Sequence, residues 1–97
     1  VRAYKTICNA TMERQSAALD LTGHVDVMIV VGGRISANTR RLAEICAETG
    51  VPTHHIEVAD ELEESWFTGA QTVGVTAGAS TPDWVIDAVV ERIEGMG

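Results

Sequence analysis

Residues 72–83, which read TVGVTAGASTPD, constrain the fold most, because they join a short apolar strand to a helix start through small residues alone. The two β-branched valines favour a buried strand, and the glycines and alanines allow a backbone or a ligand to approach closely. Pro82 suits the first helical turn, with Thr81 predicted as the N-cap. A helix N-terminus presents unpaired backbone N–H groups, to which the Ser80 hydroxyl would add one more donor. The stretch therefore predicts an anion pocket.

A second loop of this kind occurs earlier in the chain. Residues 25–31 (VDVMIVV) form a near-continuous apolar run, as expected of a parallel strand buried on both faces, and lead into the sequence GGRISAN. A helix then begins, with Ser36 or Asn38 as its cap, and ends at Gly50. Either loop alone is more often an ordinary tight turn than a ligand site. Two such loops in one chain favour a ligand site.

The alternation of strand and helix patterns predicts an α/β fold. The chain starts with a lead-in at residues 2–7 that has no evident strand partner. The patterns then predict three strands, at 25–31, 53–58 and 72–76, and three helices, at 12–21, 38–49 and 82–94. An acidic helical turn is predicted at 60–67. We therefore expect one domain over residues 1–97, a small three-layer α/β/α unit with a mostly parallel sheet of three to four strands. If the strand at 25–31 is central, both glycine-rich loops flank the switch point where open α/β sheets bind ligands.

The charge of the chain argues against two classes of partner. Fourteen acidic and seven basic residues give a formal net charge of −7, which does not fit a nucleic-acid interface or a basic membrane-binding surface. No apolar run approaches the length of a membrane span and no segment resembles a secretory signal, so we expect a cytoplasmic protein. Because the chain starts at Val1 and not at Met, we expect a piece of a larger protein.

The two cysteines have different surroundings. Cys46 falls on the helix face that carries Leu42, and we predict that it is a small buried core residue. Cys8 lies in a loop before a helix start, where the helix dipole would stabilise a thiolate, but its spacing alone makes neither a zinc site nor a cluster site. His54 and His55 are adjacent on a strand and point to opposite faces, so they cannot share a metal ion.

Three arginines accompany the earlier loop. Arg34 lies in the loop itself, where it could pair with an anion, although a solvated arginine at a turn is at least as common. Arg40 and Arg41 fall in the first turns of the next helix, where the helix dipole disfavours cations unless an anion is near. They add weak support for an anionic ligand.

Three motifs, in this order, resemble one known family. The first is ICNAT at residues 7–11 with Arg14 and Gln15, the second is VVGGRISAN at residues 30–38 with Arg41 and Leu42, and the third is VGVTAGASTPD at residues 73–83. Together they resemble the C-terminal third of the LytB or IspH family, the 4-hydroxy-3-methylbut-2-enyl diphosphate reductases. The resemblance extends over essentially the whole chain and is most specific in the third motif.

The resemblance implies a three-lobed enzyme whose similar α/β domains surround a [4Fe-4S] cluster, each domain supplying one cysteine. The family performs the last step of the non-mevalonate isoprenoid route, a two-electron reductive removal of a hydroxyl that gives isopentenyl and dimethylallyl diphosphates. By its match to the first motif, Cys8 would be the cluster ligand in this chain, with Thr11 near the substrate. By their match to the other two motifs, four residues would bind the substrate diphosphate: Ser36, Ala37, Asn38 and Ser80.

The chain departs from the family pattern in two respects. Ala37 stands where the family commonly has a second serine, so only its backbone N–H can contribute, at a cost of roughly 1 kcal/mol in diphosphate binding. The other two cluster cysteines, the substrate-binding histidines and the proton-delivering acid belong to the N-terminal domains of the family, and nothing here matches them. Since one thiolate cannot hold a cubane cluster, we predict that this chain alone is catalytically inactive. The implied partners are those N-terminal domains and an external electron donor such as ferredoxin or flavodoxin.

An alternative function of a different class is a stand-alone small α/β domain that binds a phosphorylated ligand or a protein partner without catalysis. Cys8 separates the two hypotheses, because a binding module has no use for an exposed thiol, whereas a cluster ligand needs one. An apolar surface left bare around Cys8, the strand start at Val25, or Trp84 would favour a fragment, since the missing domains would cover it.

Overall fold

Strands and helices alternate along residues 2–5, 11–78 and 81–95, the part of the chain that the computed structural model describes, with the backbone alone described for residues 11–15. The strands are β1 (Arg2–Lys5), β2 (Val27–Val31), β3 (Thr53–Ile56) and β4 (Thr72–Ala77); the helices are α1 (Thr11–Thr22), α2 (Ala37–Glu48) and α3 (Asp83–Gly95). Two short 3₁₀ turns, Ala59–Glu61 and Glu64–Phe67, follow β3 where the acidic helical turn was expected. None of the described helices is both long and apolar enough to cross a lipid bilayer.

The sheet is parallel throughout, and its strand order is β1-β4-β2-β3. The strand at 25–31 thus lies between the other two predicted strands, which is the condition under which both glycine-rich loops flank the switch point. In the β2–β4 pair the register runs from Val27 opposite Val73 to Val31 opposite Ala77. Because the two strands end level, their glycine-rich loops leave the sheet side by side.

The lead-in at the start of the chain is an edge strand, which the sequence patterns do not predict. β1 pairs with β4, with Arg2 opposite Thr72 and Lys5 opposite Val75. Within β1 only Ala3 is half-buried, so the segment lacks the apolar run that marks a central strand. The Lys5 ammonium also pairs with Asp87 of α3 at 2.8 Å, which ties the edge of the sheet to that helix.

Each face of the sheet has its own core. α3 and the 3₁₀ turns cover one face, where Ile29 and Val75 meet the buried residues of α3: Val85, Ile86, Val89 and Ile93. α1 and α2 cover the other face, which contains Met28, Val30 and Leu42. The predicted three-layer α/β/α architecture is confirmed.

Gly74 lies in the middle of β4 because two side chains need the space. A Cβ at this position would overlap the Met28 sulfur and would lie 2.8 Å from Leu21 Cδ2 of α1. A strand glycine of this kind marks a close approach of neighbouring groups. Gly74 therefore shapes the packing of α1 on the sheet and not a ligand pocket.

The helix starts differ slightly from those predicted. α2 begins at Ala37 with Ser36 as its N-cap, one of the two predicted possibilities. α3 begins at Asp83, and the carbonyl of Pro82 accepts a hydrogen bond from Ile86 N at 3.4 Å. The predicted N-cap at Thr81 is therefore wrong by one residue, and the Thr81 hydroxyl bonds to β2 instead.

Candidate functional site

The carbonyl of Val31, the last residue of β2, joins the two glycine-rich loops. Gly78 N donates to it at 3.0 Å and Thr81 Oγ1 donates to it at 3.1 Å. The chain leaves β2 toward β3 on one side and returns to β4 on the other, so this point is the topological switch of the sheet. The structure thus brings together the two loops that the sequence predicts to form one site.

Ser36 caps α2 at the edge of this site. Its Oγ accepts hydrogen bonds from Thr39 N at 3.3 Å and from Thr39 Oγ1 at 3.1 Å. Ser36 is half-buried, whereas Ala37 and Asn38 are exposed. The first turn of α2 contains no acidic residue, so no carboxylate of that turn offsets the positive end of the helix dipole. Three of the predicted diphosphate-binding residues therefore lie at an electropositive helix start.

Thr39 fills the space between the two loops, a role that the sequence patterns do not predict. Its side chain is fully buried. A Cβ on Gly32 would lie 2.8 Å from Thr39 Oγ1 and 3.2 Å from Thr81 Oγ1, and a Cβ on Gly78 would overlap Thr39 Oγ1. Both glycines are thus required by a side chain of the protein. The spacing in the sequence indicates that Thr39 is buried, because it precedes Leu42 by three residues on the buried stripe of α2.

Arg34 is engaged by acidic residues of a neighbouring segment. Its guanidinium forms an ion pair with Glu61 and a longer one with Glu57 at 3.6 Å. Backbone hydrogen bonds from Glu57 and Val58, together with Arg34, hold the pKa of Glu61 below its usual range. Arg34 therefore links two loops of the protein.

The other two arginines differ in their partners. Arg41 lies 3.3 Å from a Glu44 oxygen and 4.0 Å from a Glu48 oxygen on the same helix. Within the described residues Arg40 makes no ion pair, and its side chain is exposed. Of the three arginines, Arg40 is the one whose charge is available near the start of α2.

The two histidines lie on opposite faces of β3, as predicted. His54 stacks on Trp66 with ring centroids 4.0 Å apart and planes 4° from parallel, and burial lowers its pKa. His55 Nε2 lies 2.9 Å from the carbonyl oxygen of Gly32, so this nitrogen carries a proton and donates it. His55 therefore holds the backbone of the loop after β2 through a hydrogen bond to Gly32.

The cysteines were expected to play different roles, and the structure describes one of them. Cys46 is fully buried in the α2 core, and burial raises the pKa of its thiol to about 11, so the predicted core role is confirmed. No group of three metal-ligating side chains occurs among residues 2–5, 11–78 and 81–95. These residues do not by themselves fit an iron–sulfur cluster. Cys8, Ser80 and the side chain of Thr11 lie outside the described part of the chain.

One of the three surfaces expected to be bare in a fragment is bare. Trp84, in the first turn of α3, is 72% exposed, and Val58 and Val85 border the same groove. Val25, by contrast, is buried. The third surface, around Cys8, is outside the described residues. A large exposed indole beside an apolar groove is a surface that a partner or another domain would cover.

Comparisons with known proteins agree on one family. Residues 1–94 match the family model described as LytB protein. Curated relatives named 4-hydroxy-3-methylbut-2-enyl diphosphate reductase include those of Trichlorobacter lovleyi (61% identical over 94 residues), Pelobacter propionicus (60% over 93 residues) and Geobacter sulfurreducens (58% over 94 residues). These alignments cover 97%, 96% and 97% of this chain.

Solved structures give the same result. One reported as (E)-4-hydroxy-3-methyl-but-2-enyl diphosphate reductase, the terminal enzyme of the non-mevalonate pathway, aligns with a TM-score of 0.86 at 53% identity, covering 92% of this chain and 32% of that one. A related reductase from Plasmodium falciparum aligns with a TM-score of 0.81 at 28% identity, covering 88% of this chain and 27% of that one.

The chain spans about a third of the length of the curated relatives that it matches, between 33% and 34% for the three named above. The family model nonetheless covers residues 1–94. The α/β fold is thus shared with these solved structures. By sequence and by structure, the chain belongs to the LytB protein family.

Proposed function

We propose that this chain is the C-terminal domain of a 4-hydroxy-3-methylbut-2-enyl diphosphate reductase, where it binds the substrate diphosphate and supplies one cluster ligand. The observation that carries the proposal is the junction at Val31, whose carbonyl holds the end of β2 against the loop before α3. Full-length relatives carry the reductase name, and this chain corresponds to about a third of each. Its assignment to the C-terminal third rests on the resemblance of its three motifs.

The first turn of α2 offers specific donors to a diphosphate. Thr39 N–H is bonded to the Ser36 side chain, and Arg40 N–H to the Ser36 carbonyl at 3.0 Å. The N–H groups of Ala37 and Asn38 precede them and have no partner inside the helix. Together with the Ser36 hydroxyl and the exposed Asn38 amide, they form a donor set suited to phosphoryl oxygens. In this proposal Ser80 adds a hydroxyl from the other loop.

The same proposal assigns Cys8 to a [4Fe-4S] cluster in the complete enzyme. When bound, the cluster would supply the two electrons needed for the reductive loss of the substrate hydroxyl. Cys8 would contribute one thiolate, and the other ligands would come from the rest of the enzyme. An external donor such as ferredoxin or flavodoxin would supply the electrons in the cytoplasm. The isolated chain is inactive in this proposal because one thiolate cannot hold a cubane.

Titration of the chain with pyrophosphate tests the binding half of this proposal. We expect the largest amide chemical-shift changes in ¹H–¹⁵N spectra at Ala37, Asn38 and the loop after β4. Ser36→Ala should weaken pyrophosphate binding about ten- to a hundredfold, because a hydrogen bond to a charged group is lost. Ser16→Ala, an exposed serine of α1, is the matched control and should bind as the wild type does. Shifts scattered over the surface, or no effect of Ser36→Ala, would contradict the proposal.

A stand-alone domain that binds a phosphorylated ligand is the alternative function, and it predicts the same pyrophosphate binding. The exposed indole of Trp84 favours a covered surface, which suits both a larger enzyme and a protein partner. The two functions differ in their need for Cys8, since only the reductase requires that thiol.

A further inference from the structure

Thr39 places a hydroxyl where its helix otherwise buries apolar groups. The buried residues of α2 are Thr39, Leu42 and Cys46, which share one stripe of the helix. A buried hydroxyl is costly unless it is hydrogen-bonded. Its partner among the described residues is the Oγ of Ser36, 3.1 Å away. The reason for a threonine here is therefore connected with Ser36.

The burial of Thr39 determines the direction of this hydrogen bond. Each hydroxyl has one proton and can accept two hydrogen bonds. If Ser36 donated to Thr39, the buried Thr39 proton would have no acceptor in the described part of the chain. Thr39 therefore donates, and Ser36 Oγ accepts both this proton and the N–H of Thr39 at 3.3 Å. Both acceptor positions of Ser36 are then occupied, and its own proton is left for a group outside the helix.

We propose that Thr39 is a positioning residue that directs the Ser36 proton toward the bound diphosphate, an inference that rests on the function proposed above. A phosphoryl oxygen only accepts hydrogen bonds, so it needs a serine whose proton faces outward. Thr39 also sets the spacing of the site, because Gly32 in one loop and Gly78 in the other both leave room for its side chain. One buried side chain thus controls the direction of a donor and the distance between the two loops.

Two substitutions separate the hydroxyl of Thr39 from its shape. Thr39→Val keeps the branched side chain and removes the hydroxyl, and we expect it to weaken pyrophosphate binding about five- to tenfold. Thr39→Ser keeps the hydroxyl and removes the methyl group, and we expect affinity within about twofold of the wild type. The ¹H–¹⁵N spectrum of each variant reports whether it is folded. If Thr39→Val does not fold, Thr39→Ala serves as the second variant without the hydroxyl.

A double-mutant cycle with Ser36→Ala distinguishes positioning from a structural role. If Thr39 acts through Ser36, Thr39→Val should change pyrophosphate affinity less than twofold when Ser36 is already alanine. Equal losses with and without the Ser36 hydroxyl would overturn the proposal. Wild-type affinity in a folded Thr39→Val variant would overturn it as well.

A measurement without ligand keeps this inference separate from the proposed function. Three-bond NMR couplings report the χ1 rotamer of Ser36. We expect one rotamer in the wild type and in Thr39→Ser, and rotamer averaging in Thr39→Val. A single unchanged rotamer in Thr39→Val would overturn the positioning role. If the wild type binds no pyrophosphate, the proposed function fails, and the rotamer result alone decides whether Thr39 orients Ser36.

Discussion

Arg34 and Glu61 form an ion pair that connects the loop after β2 to the 3₁₀ turn after β3. The Glu61 carboxylate also accepts the N–H of Val58 at 3.0 Å, so it anchors its own turn while it holds the arginine. This pair explains why Arg34, although it lies in the loop after β2, is not the best candidate to bind the anion. Its guanidinium already has a carboxylate partner.

The pH dependence of stability should report this anchor. Because the pKa of Glu61 is lower in the folded chain than its ordinary value of 4.5, its contribution is present above pH 4.5 and is lost as the pH falls through the folded pKa. The carboxylate is solvent-screened, so we expect about 0.5 kcal/mol. Glu61→Gln should lower the free energy of unfolding by that amount at pH 7 and flatten its fall below pH 4.5. Urea unfolding at several pH values checks this, with Glu64→Gln as control. If the free energy of unfolding fell equally steeply below pH 4.5 in both variants, Glu61 would not be the group responsible.

Gly78 should tolerate no side chain. Gly78→Ala would overlap the Thr39 hydroxyl, and we expect it to lower the free energy of unfolding by about 2 kcal/mol and to weaken pyrophosphate binding. Gly33 is the matched control in the other loop, because a Cβ there meets nothing within 4 Å, so Gly33→Ala should stay within about 0.5 kcal/mol of the wild type. Urea denaturation measures both. If the clash with Thr39 is the cause, the pair Gly78→Ala and Thr39→Ala should cost less than the sum of the two changes.

Cys46 should destabilise the fold at high pH. Its thiol pKa is raised from 9.0 to about 11, so the folded chain retains the proton more strongly than the unfolded chain does. The stability from this group is complete below pH 9 and is lost as the pH rises toward 11, by about 2–3 kcal/mol. In a Cys8→Ser background Cys46 is the one remaining thiol. Urea unfolding between pH 8 and 11 should show this loss of stability in Cys8→Ser but not in the double variant Cys8→Ser, Cys46→Ala. A fall of the same size in both chains would show that other groups cause it.

Cys8 should be required only in the complete enzyme. A hybrid in which this chain replaces the matching third of the Geobacter sulfurreducens reductase should assemble a cluster and reduce substrate. Cys8→Ser should abolish the visible charge-transfer absorbance and lower activity by at least about a hundredfold, since the cluster loses a ligand. Cys46→Ala is the control and should keep both. If the Cys8→Ser hybrid retained its full cluster content, Cys8 would not be a cluster ligand.

The sequence predicted the central strands well because their environment is simple. β2 and β4 are buried on both faces, so their residues form near-continuous apolar runs, a pattern typical of central parallel strands. β1 is not predicted for the opposite reason. It is an edge strand in which Ala3 is partly buried and the other residues are exposed, so it has no apolar run. Its pairing also depends on β4, which is distant in sequence. Edge strands are specified by the sheet they join as much as by their own residues.

The candidate site was predicted in part. Ser36 as a cap and the two glycine-rich loops follow from local rules, and the structure brings them together. Thr39 was missed because local rules treat a threonine in a helix as neutral, whereas its role depends on glycines that lie 7 residues before it and 39 residues after it. For the same reason the sequence assigns Gly78 to the close approach of a backbone or a ligand, whereas the structure shows that it leaves room for the Thr39 side chain. The binding roles of Cys8, Ser36, Ala37, Asn38 and Ser80 stay predictions.

The carbonyl oxygen of Val31 accepts hydrogen bonds from both Gly78 and Thr81, so its two lone pairs are committed before any ligand arrives. The conformational entropy of bringing the two loops together is therefore lost when the chain folds and not when the ligand binds. Ligand affinity is then coupled to the stability of the β2–β4 pair. Substitutions deep in that pair, far from any donor, would shorten the residence time of a bound anion by allowing the loops to separate.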